Sequence, residues 1–571
     1  MARSQPATKV TTATSKRASA RTAAPRRGEG ERPAQAKQAV VIIHGMGEQV
    51  PLETIGEFVE TVYTRDPAFA GAQVEGAENL TSMVPDPATG SAELRRITTH
   101  PPQGGKRTDF YEFYYADIMD DNPLDVVTAW LATLLLRSPF RLPLRLQVII
   151  LWLVLWVLAI VVGVASVIML VPQAANYVPL VPAMAEFVAT WRWLAGIGGV
   201  VLGLVILLYR VVTMESLGKL KLGMPLILLV LGLALWFVPP ELLVDARVWA
   251  GIVTLGVSWL FSTFVGPYFG DVVRFVRATP RTVERRALVR QRGLDLLDAL
   301  HDKKSTDGKT PEYDRIVIVG HSLGTMVAYD LLLHYWVRSG PDHHQLKQVS
   351  LELATALRQV DQFVNATWTP GAGLAGAIPL AQFNHAAYRT AQAAVFEALR
   401  DSPLNWRISD LITLGSPLIH SEFLVVDSKD QLAQTFEQRR FASSPPRPDP
   451  VQGAPASMLY MDNTTGQGPF AHFAAPFAAV RWTNIHDDCW FPALADVVSG
   501  PVQPTFGPAI WDHNVAIRRP EWWVPVADRL FTHTRYWHWH KSYDPANPPE
   551  HIALLRAALD LDGKRVLKPP K

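Results

Sequence analysis

Hydrophobic and polar positions fall into three kinds of stretch along this chain: short apolar runs that stop at glycine, longer runs of helical period, and a few long runs with no charge at all. The sharpest is Ile316 to Val319, four consecutive β-branched residues, which suits a strand buried on both faces. It runs directly into Gly320-His321-Ser322-Leu323-Gly324, after which the small residues Gly324, Thr325 and Ala328 predict a helix packed closely on a sheet. Ala39 to Ile43 is a second such strand, ending in His44-Gly45-Met46-Gly47. Asp109 to Ala116, Ile408 to Leu414 and Val480 to Ile485 complete the predicted strands. Helical patterning covers Glu53 to Thr64, Arg281 to His301, 346 to 364, 384 to 400, and His551 to Leu561. Strands alternating with helices predict an α/β fold with a mostly parallel sheet and helices on both faces. Residues 66 to 108 read as a Pro/Gly-rich connection, 341 to 407 as a helical cap, and 426 to 470 as a polar, Pro-rich surface insertion.

The uncharged runs interrupt this pattern. Val148 to Val171 has no charge over 24 residues, roughly 36 Å as a helix, which is enough to span a bilayer core. Trp193 to Tyr209, Leu222 to Pro240 and Val248 to Gly270 are similar, whereas Leu124 to Leu136 is too short to cross unaided. Four spans also satisfy parity, because the loop near residue 45 and the turn at 322 must meet in one sheet on one side of the membrane. Arginines before the first run and between 274 and 292, with Arg210, Lys219 and Lys221 in the second loop, place those segments inside. The expected organisation is therefore a basic disordered tail (1–37), a first α/β part (38–145), a block of about four transmembrane helices (146–271), and a second α/β part (272–571). The tail lacks the apolar run of a secretory signal. The topology implies a multi-pass integral membrane protein of a bacterial inner or plasma membrane, with the α/β parts cytoplasmic and the lipid bilayer as partner.

Composition narrows the choices. A hydrophobic content of 49% exceeds that of most soluble enzymes, and the excess lies in the uncharged runs. The single cysteine, Cys489, excludes an internal disulfide framework and cysteine-rich metal sites. A net charge of +2 makes no case for nucleic acid, and no constellation supports a metal or redox cofactor.

The candidate chemistry begins at Ser322. Glycines two residues to either side permit a strained strand-to-helix turn, with the Leu323 backbone N–H and the helix N-terminus facing any oxyanion that develops there. The alternative is an ordinary glycine-rich turn with a capping serine. Downstream acids are Asp487, Asp488 and Asp496. Asp496 opens a compact turn and is favoured, with Asp488 next, because Asp487 and Asp488 would repel each other if both were buried. The C-terminal histidine candidates are His533, His538 and His540, with His513 earlier; His533, ahead of Tyr536 and Trp537, is favoured. His44 reads as a loop-orienting residue.

Together, His44-Gly-Met-Gly, Gly320-His-Ser-Leu-Gly, Ile412-Thr-Leu-Gly-Ser-Pro, Arg481-Trp-Thr-Asn and His533-Thr-Arg-Tyr-Trp resemble the serine lipase/esterase branch of the α/β-hydrolase superfamily over residues 40–50 and 310–560. The resemblance implies acyl-ester hydrolysis through an acyl-serine intermediate. Ser322 would attack, His533 would act as base and then acid, Asp496 would orient the imidazole, and the Met46 and Leu323 N–H groups would form the oxyanion hole. A membrane block next to the pocket implies a lipid or lipid-linked ester as substrate. The competing expectation is a membrane scaffold or transporter-associated protein with an inactive hydrolase-like domain. Transport itself is disfavoured because no ionisable residue falls inside the four runs.

Overall fold

The structure is a computed structural model that describes residues 37–45, 52–70, 81–119 and 282–562 apart from internal gaps, with a few isolated positions between 197 and 276. Ten strands are present among the described residues: β1 (Lys37–Ile43), β2 (Thr81–Pro85), β3 (Arg95–Thr99), β4 (Arg107–Phe113), β5 (Arg315–His321), β6 (Ile408–Leu414), β7 (Leu459–Tyr460), β8 (Phe470–Ala471), β9 (Arg481–His486) and β10 (Trp511–Asn514). Eight of them form one sheet in the order β10-β9-β6-β5-β1-β4-β3-β2, and β7 and β8 form a separate ribbon. From β10 to β4 all pairings are parallel; β4–β3 and β3–β2 are antiparallel.

Strands β1 and β5 lie at the centre with every position of β5 buried, as an unbroken β-branched run requires. Their side chains divide between two cores. Val41, Ile43, Ile316 and Ile318 face a layer that contains helices α2 (Val283–Asp302), α3 (Leu323–Ser339), α4 (Leu351–Thr367) and α5 (His385–Arg400). Val40, Ile42, Val317 and Val319 face the other layer. There α1 (Glu53–Val59) contributes Ile55, Phe58 and Val59, and α6 (Glu550–Leu559) contributes Leu555, Ala558 and Leu559. The register Ile43↔Gly320 sets the ends of β1 and β5 side by side, so the loop after Ile43 opens next to Ser322.

The two edges of the sheet differ from the sequence expectation. The stretch 66–108, read as a connection, holds β2 and β3 on one sheet edge. Both are five residues long, β2 is only partly buried, and it ends at Pro85, a residue tolerated at an edge where no ladder donor is needed. At the other edge β10 is four residues of mostly polar sequence, too short to give a periodic signal. Within 341–407, α4 and α5 pack against each other, and Gln392 of α5 donates to the Phe477 and Val480 carbonyls, tying the pair into the α3-side core.

The membrane expectation is corrected. No helix among the described residues is long and apolar enough to cross a membrane. The longest, the 20-residue α2, carries charged residues on every turn. The four uncharged runs, the 124–136 segment and the basic tail up to residue 36 lie outside the described residues. The described fold is a mixed α/β sheet flanked by helices, with no transmembrane helix among the described residues. The multi-pass topology, the bilayer as partner and the inner-membrane location are withdrawn with it.

Candidate active site

β5 ends in a turn, and α3 begins one residue later. Between them Ser322 has φ 53° and ψ −127°, a conformation that an L-residue holds only when its surroundings impose it. The imposition comes from close packing of α3 on the end of β1. A side chain at Gly324 would collide with the backbone carbonyls of Ile43 and His44, so glycine is required there. The Ser322 N–H donates to the Leu414 carbonyl at 3.0 Å, and the Thr325 N–H and hydroxyl donate to the Ser322 carbonyl at 3.0 and 2.7 Å. The serine's backbone is thus held on three sides.

Two further loops converge on its hydroxyl. His533 lies in the segment between Thr532 and Trp537, with its Nε2 2.8 Å from Ser322 Oγ. Its Nδ1 is 2.9 Å from both oxygens of Asp496, in the loop after β9. The partners assign the tautomer: Nδ1 bears the proton that the carboxylate accepts, which leaves Nε2 to accept from the serine hydroxyl. Asp496 is buried and also accepts from the Tyr536 hydroxyl at 2.7 Å and the Val498 and Ser499 N–H groups at 2.9 and 3.3 Å. Burial alone would raise its pKa. Instead the adjacent His533 and these donors outweigh burial and hold the carboxyl well below the usual carboxylate range.

The fold thus brings Ser322, His533 and Asp496 together. Leu323 opens α3, where its N–H belongs to the first-turn donors that have no intrahelical acceptor. Met46, the other oxyanion candidate, lies outside the described residues. Asp488 is not at the histidine; its backbone N–H and C=O pair with the Asn514 side chain at 2.8 and 3.2 Å. His513 packs edge-on against Trp511, His538 Nδ1 lies 2.9 Å from Glu57, and His540 Nδ1 lies 2.7 Å from Ser542. His44 stacks on Tyr115; its Nδ1 donates to the Gly45 carbonyl and its Nε2 accepts from the Tyr115 N–H. Burial lowers its pKa to about 4, so it is neutral near pH 7.

Three neighbours escaped the sequence reading. Tyr536 donates to Asp496 while its oxygen meets the Asp487 N–H at 3.1 Å and Ser499 Oγ at 3.0 Å. Asp487, weighed above only as an acid, binds the histidine loop: its carboxylate accepts from Thr532 Oγ1 at 2.7 Å and Arg529 at 2.6 Å. His321 Nε2 lies 2.8 Å from the His533 carbonyl. Of the three, Tyr536 left a trace, since it sits three residues after His533 in a segment rich in turn-prone and aromatic residues. Gly415, after β6, has φ 61°, and a side chain there would meet Tyr536 at 2.7 Å and Asp496 at 3.1 Å, so it too serves the close approach of these loops. Among the described residues no group of three or more His, Cys, Asp or Glu is arranged to hold a metal ion.

No protein-family model, curated protein or solved structure matches the chain. The mixed sheet is consistent with an α/β-hydrolase-like fold. Membership of the lipase/esterase branch with an inserted membrane block is corrected, because no family model matches and no described helix spans. The membrane-bound enzyme acting on a lipid or lipid-linked ester is set aside for the same two reasons: no relative brings such a substrate to this chain, and the spanning helices that suggested it are not among the described elements.

Proposed function

We propose that this chain is a serine ester hydrolase with Ser322 as nucleophile, His533 as general base and acid, and Asp496 as the group that orients and charges the pair. The observation that carries the reading is the continuous run of contacts at a strained turn: 2.8 Å from Ser322 Oγ to His533 Nε2, then 2.9 Å from Nδ1 to the buried Asp496 carboxylate. A serine hydroxyl is a weak nucleophile until an adjacent base takes its proton in the transition state. Here Nε2 is placed to do so. As Ser322 Oγ bonds to a carbonyl carbon, its proton passes to Nε2, and Asp496 stabilises the imidazolium that forms. The negative charge developing on the carbonyl oxygen falls at the start of α3, where the Leu323 N–H and the helix dipole favour it. His533 then gives the proton to the departing alkoxide, and a water activated by the same nitrogen repeats the sequence in reverse to release the acid.

The test is covalent labelling. A fluorophosphonate probe is expected to label the full-length protein at Ser322, and Ser322→Ala is expected to abolish the label. Labelling that survives the substitution rejects this nucleophile.

A further inference from the structure

His321 has no part in the reaction just described, yet it is built into the site from two sides. It ends β5, immediately before the nucleophile, and its ring is nearly buried against the loop that carries the base. Ring centroids lie 5.0 Å from His533 and 4.8 Å from Trp537, the latter edge-on. Its Nε2 is 2.8 Å from the backbone carbonyl of His533, so that nitrogen carries the proton and donates. The other ring nitrogen faces Gly45, whose Cα could carry no side chain without approaching it to 3.2 Å. The ring therefore spans the gap between the strand that aims the serine and the peptide that aims the imidazole. This hydrogen bond joins the end of β5, next to Ser322, to the His533 backbone.

We infer that His321 is a positioning residue: its Nε2–H holds the His533 peptide so that the catalytic imidazole sits within proton-transfer distance of Ser322 Oγ. The claim rests on the triad reading above. Its physical content is that a neutral donor of fixed reach acts through the backbone of the base. Burial, reinforced by the neighbouring His533, lowers the pKa of His321 to about 3, so the ring remains a neutral donor at ordinary assay pH. A base misplaced by about 1 Å can cost on the order of 100-fold in rate while leaving substrate binding alone.

The experiment compares wild type, Ser322→Ala, His321→Phe and His321→Gln of the full chain, using p-nitrophenyl butyrate hydrolysis and the rate of fluorophosphonate labelling, with a thermal melt on each. Phenylalanine keeps the ring and loses the donor; glutamine loses the ring and keeps an N–H of similar reach. His321→Phe is expected to lower kcat and the labelling rate about 10- to 100-fold with KM changed less than twofold. His321→Gln is expected to recover most of the loss. Ser322→Ala that stays fully active, or a wild type that neither hydrolyses nor labels, overturns the triad reading and this inference with it. Ser322→Ala inactive with His321→Phe as fast as wild type overturns the positioning role alone. Equal loss in both His321 variants also overturns it, since ring packing would then matter and not the donor; a His321→Phe that does not fold leaves His321→Gln to decide, with inactivity at wild-type melting temperature counting against the role.

Discussion

The two ends of the parallel sheet are made from the same strands but handle charge in opposite ways. At the N-terminal end, β5 begins with the buried Arg315, β6 carries Asp410 and β9 begins with Arg481. Arg481 pairs with Asp410 at 2.8 Å, Arg315 lies 3.8 Å from Asp410 and 3.3 Å from Asp560, and Ser409 donates to Asp410 at 2.6 Å. At the C-terminal end, the same strands lead into Ser322, Gly415 and Asp487. There the buried Asp496 faces an imidazole in place of a guanidinium. Both Asp410 and Asp496 are buried and both are held ionised well below the usual range, each against the pull of its own desolvation. The difference lies in the partner. A guanidinium cannot shed its proton, so the pair at the N-terminal end is permanent; an imidazole can, so the pair at the C-terminal end can cycle. One end is organised for permanence and the other for turnover.

The largest expected effect separates the two ends by activity. Asp496→Asn keeps the shape but removes the charge and the preference for the working tautomer, and is expected to lower kcat on the order of 10⁴-fold. Steady-state kinetics check this, and an Asp496→Asn enzyme within tenfold of wild type removes Asp496 from its role. Asp410→Asn should do the converse: it leaves the buried Arg315 and the half-buried Arg481 without the carboxylate between them, and is expected to cost about 3–5 kcal/mol of stability. Urea unfolding measures the loss, while the labelling rate per folded molecule should stay at the wild-type value. A change in that rate would mean that the two ends are coupled.

The smallest effect concerns a carboxyl belonging to neither group. Glu112 on β4 is fully buried, accepts from the Leu52 N–H at 2.8 Å, and has a second oxygen with no partner among the described residues. Burial raises its pKa from 4.5 to about 7, despite that hydrogen bond. Its stabilising contribution is thus fully present below about 4.5 and lost as pH rises through about 7. Glu112→Gln should leave the melting temperature unchanged at pH 4.5 and raise it by about 2–4 °C at pH 8, where wild type must bury an ion. A difference independent of pH refutes this account.

Much of this was legible before the fold. The β-branched run 316–319 and the glycines around Ser322 specify a buried strand and a tight exit because sterics alone demand them. Chain order and loop position were enough to name His533 and Asp496, which the fold then sets within hydrogen-bonding distance. Tyr536, His321 and Asp487 were not legible in the same way, since each acts through a contact whose partner is distant in sequence, 40, 212 and 45 residues away respectively. The strands at and next to the edges were missed for a different reason: β2, β3 and β10 are only four or five residues long, and the ladders of β2 and β10 are open on one side, so burial imposes little pattern on them. The four uncharged runs fall outside the described residues, and no described helix is long and apolar enough to cross a membrane.

The placement of β1 has a consequence for how the chain comes off the ribosome. Lys37 at its start pairs with Glu312, 275 residues later, and the strand needs β5 on one flank before its buried face is complete. A nascent chain therefore exposes one of the most apolar strands of its sheet during synthesis of nearly half the chain, a sticky edge in need of a chaperone or a temporary neighbour. The long wait is built into the topology, because the first of the described strands is the one that the later central strand must close upon.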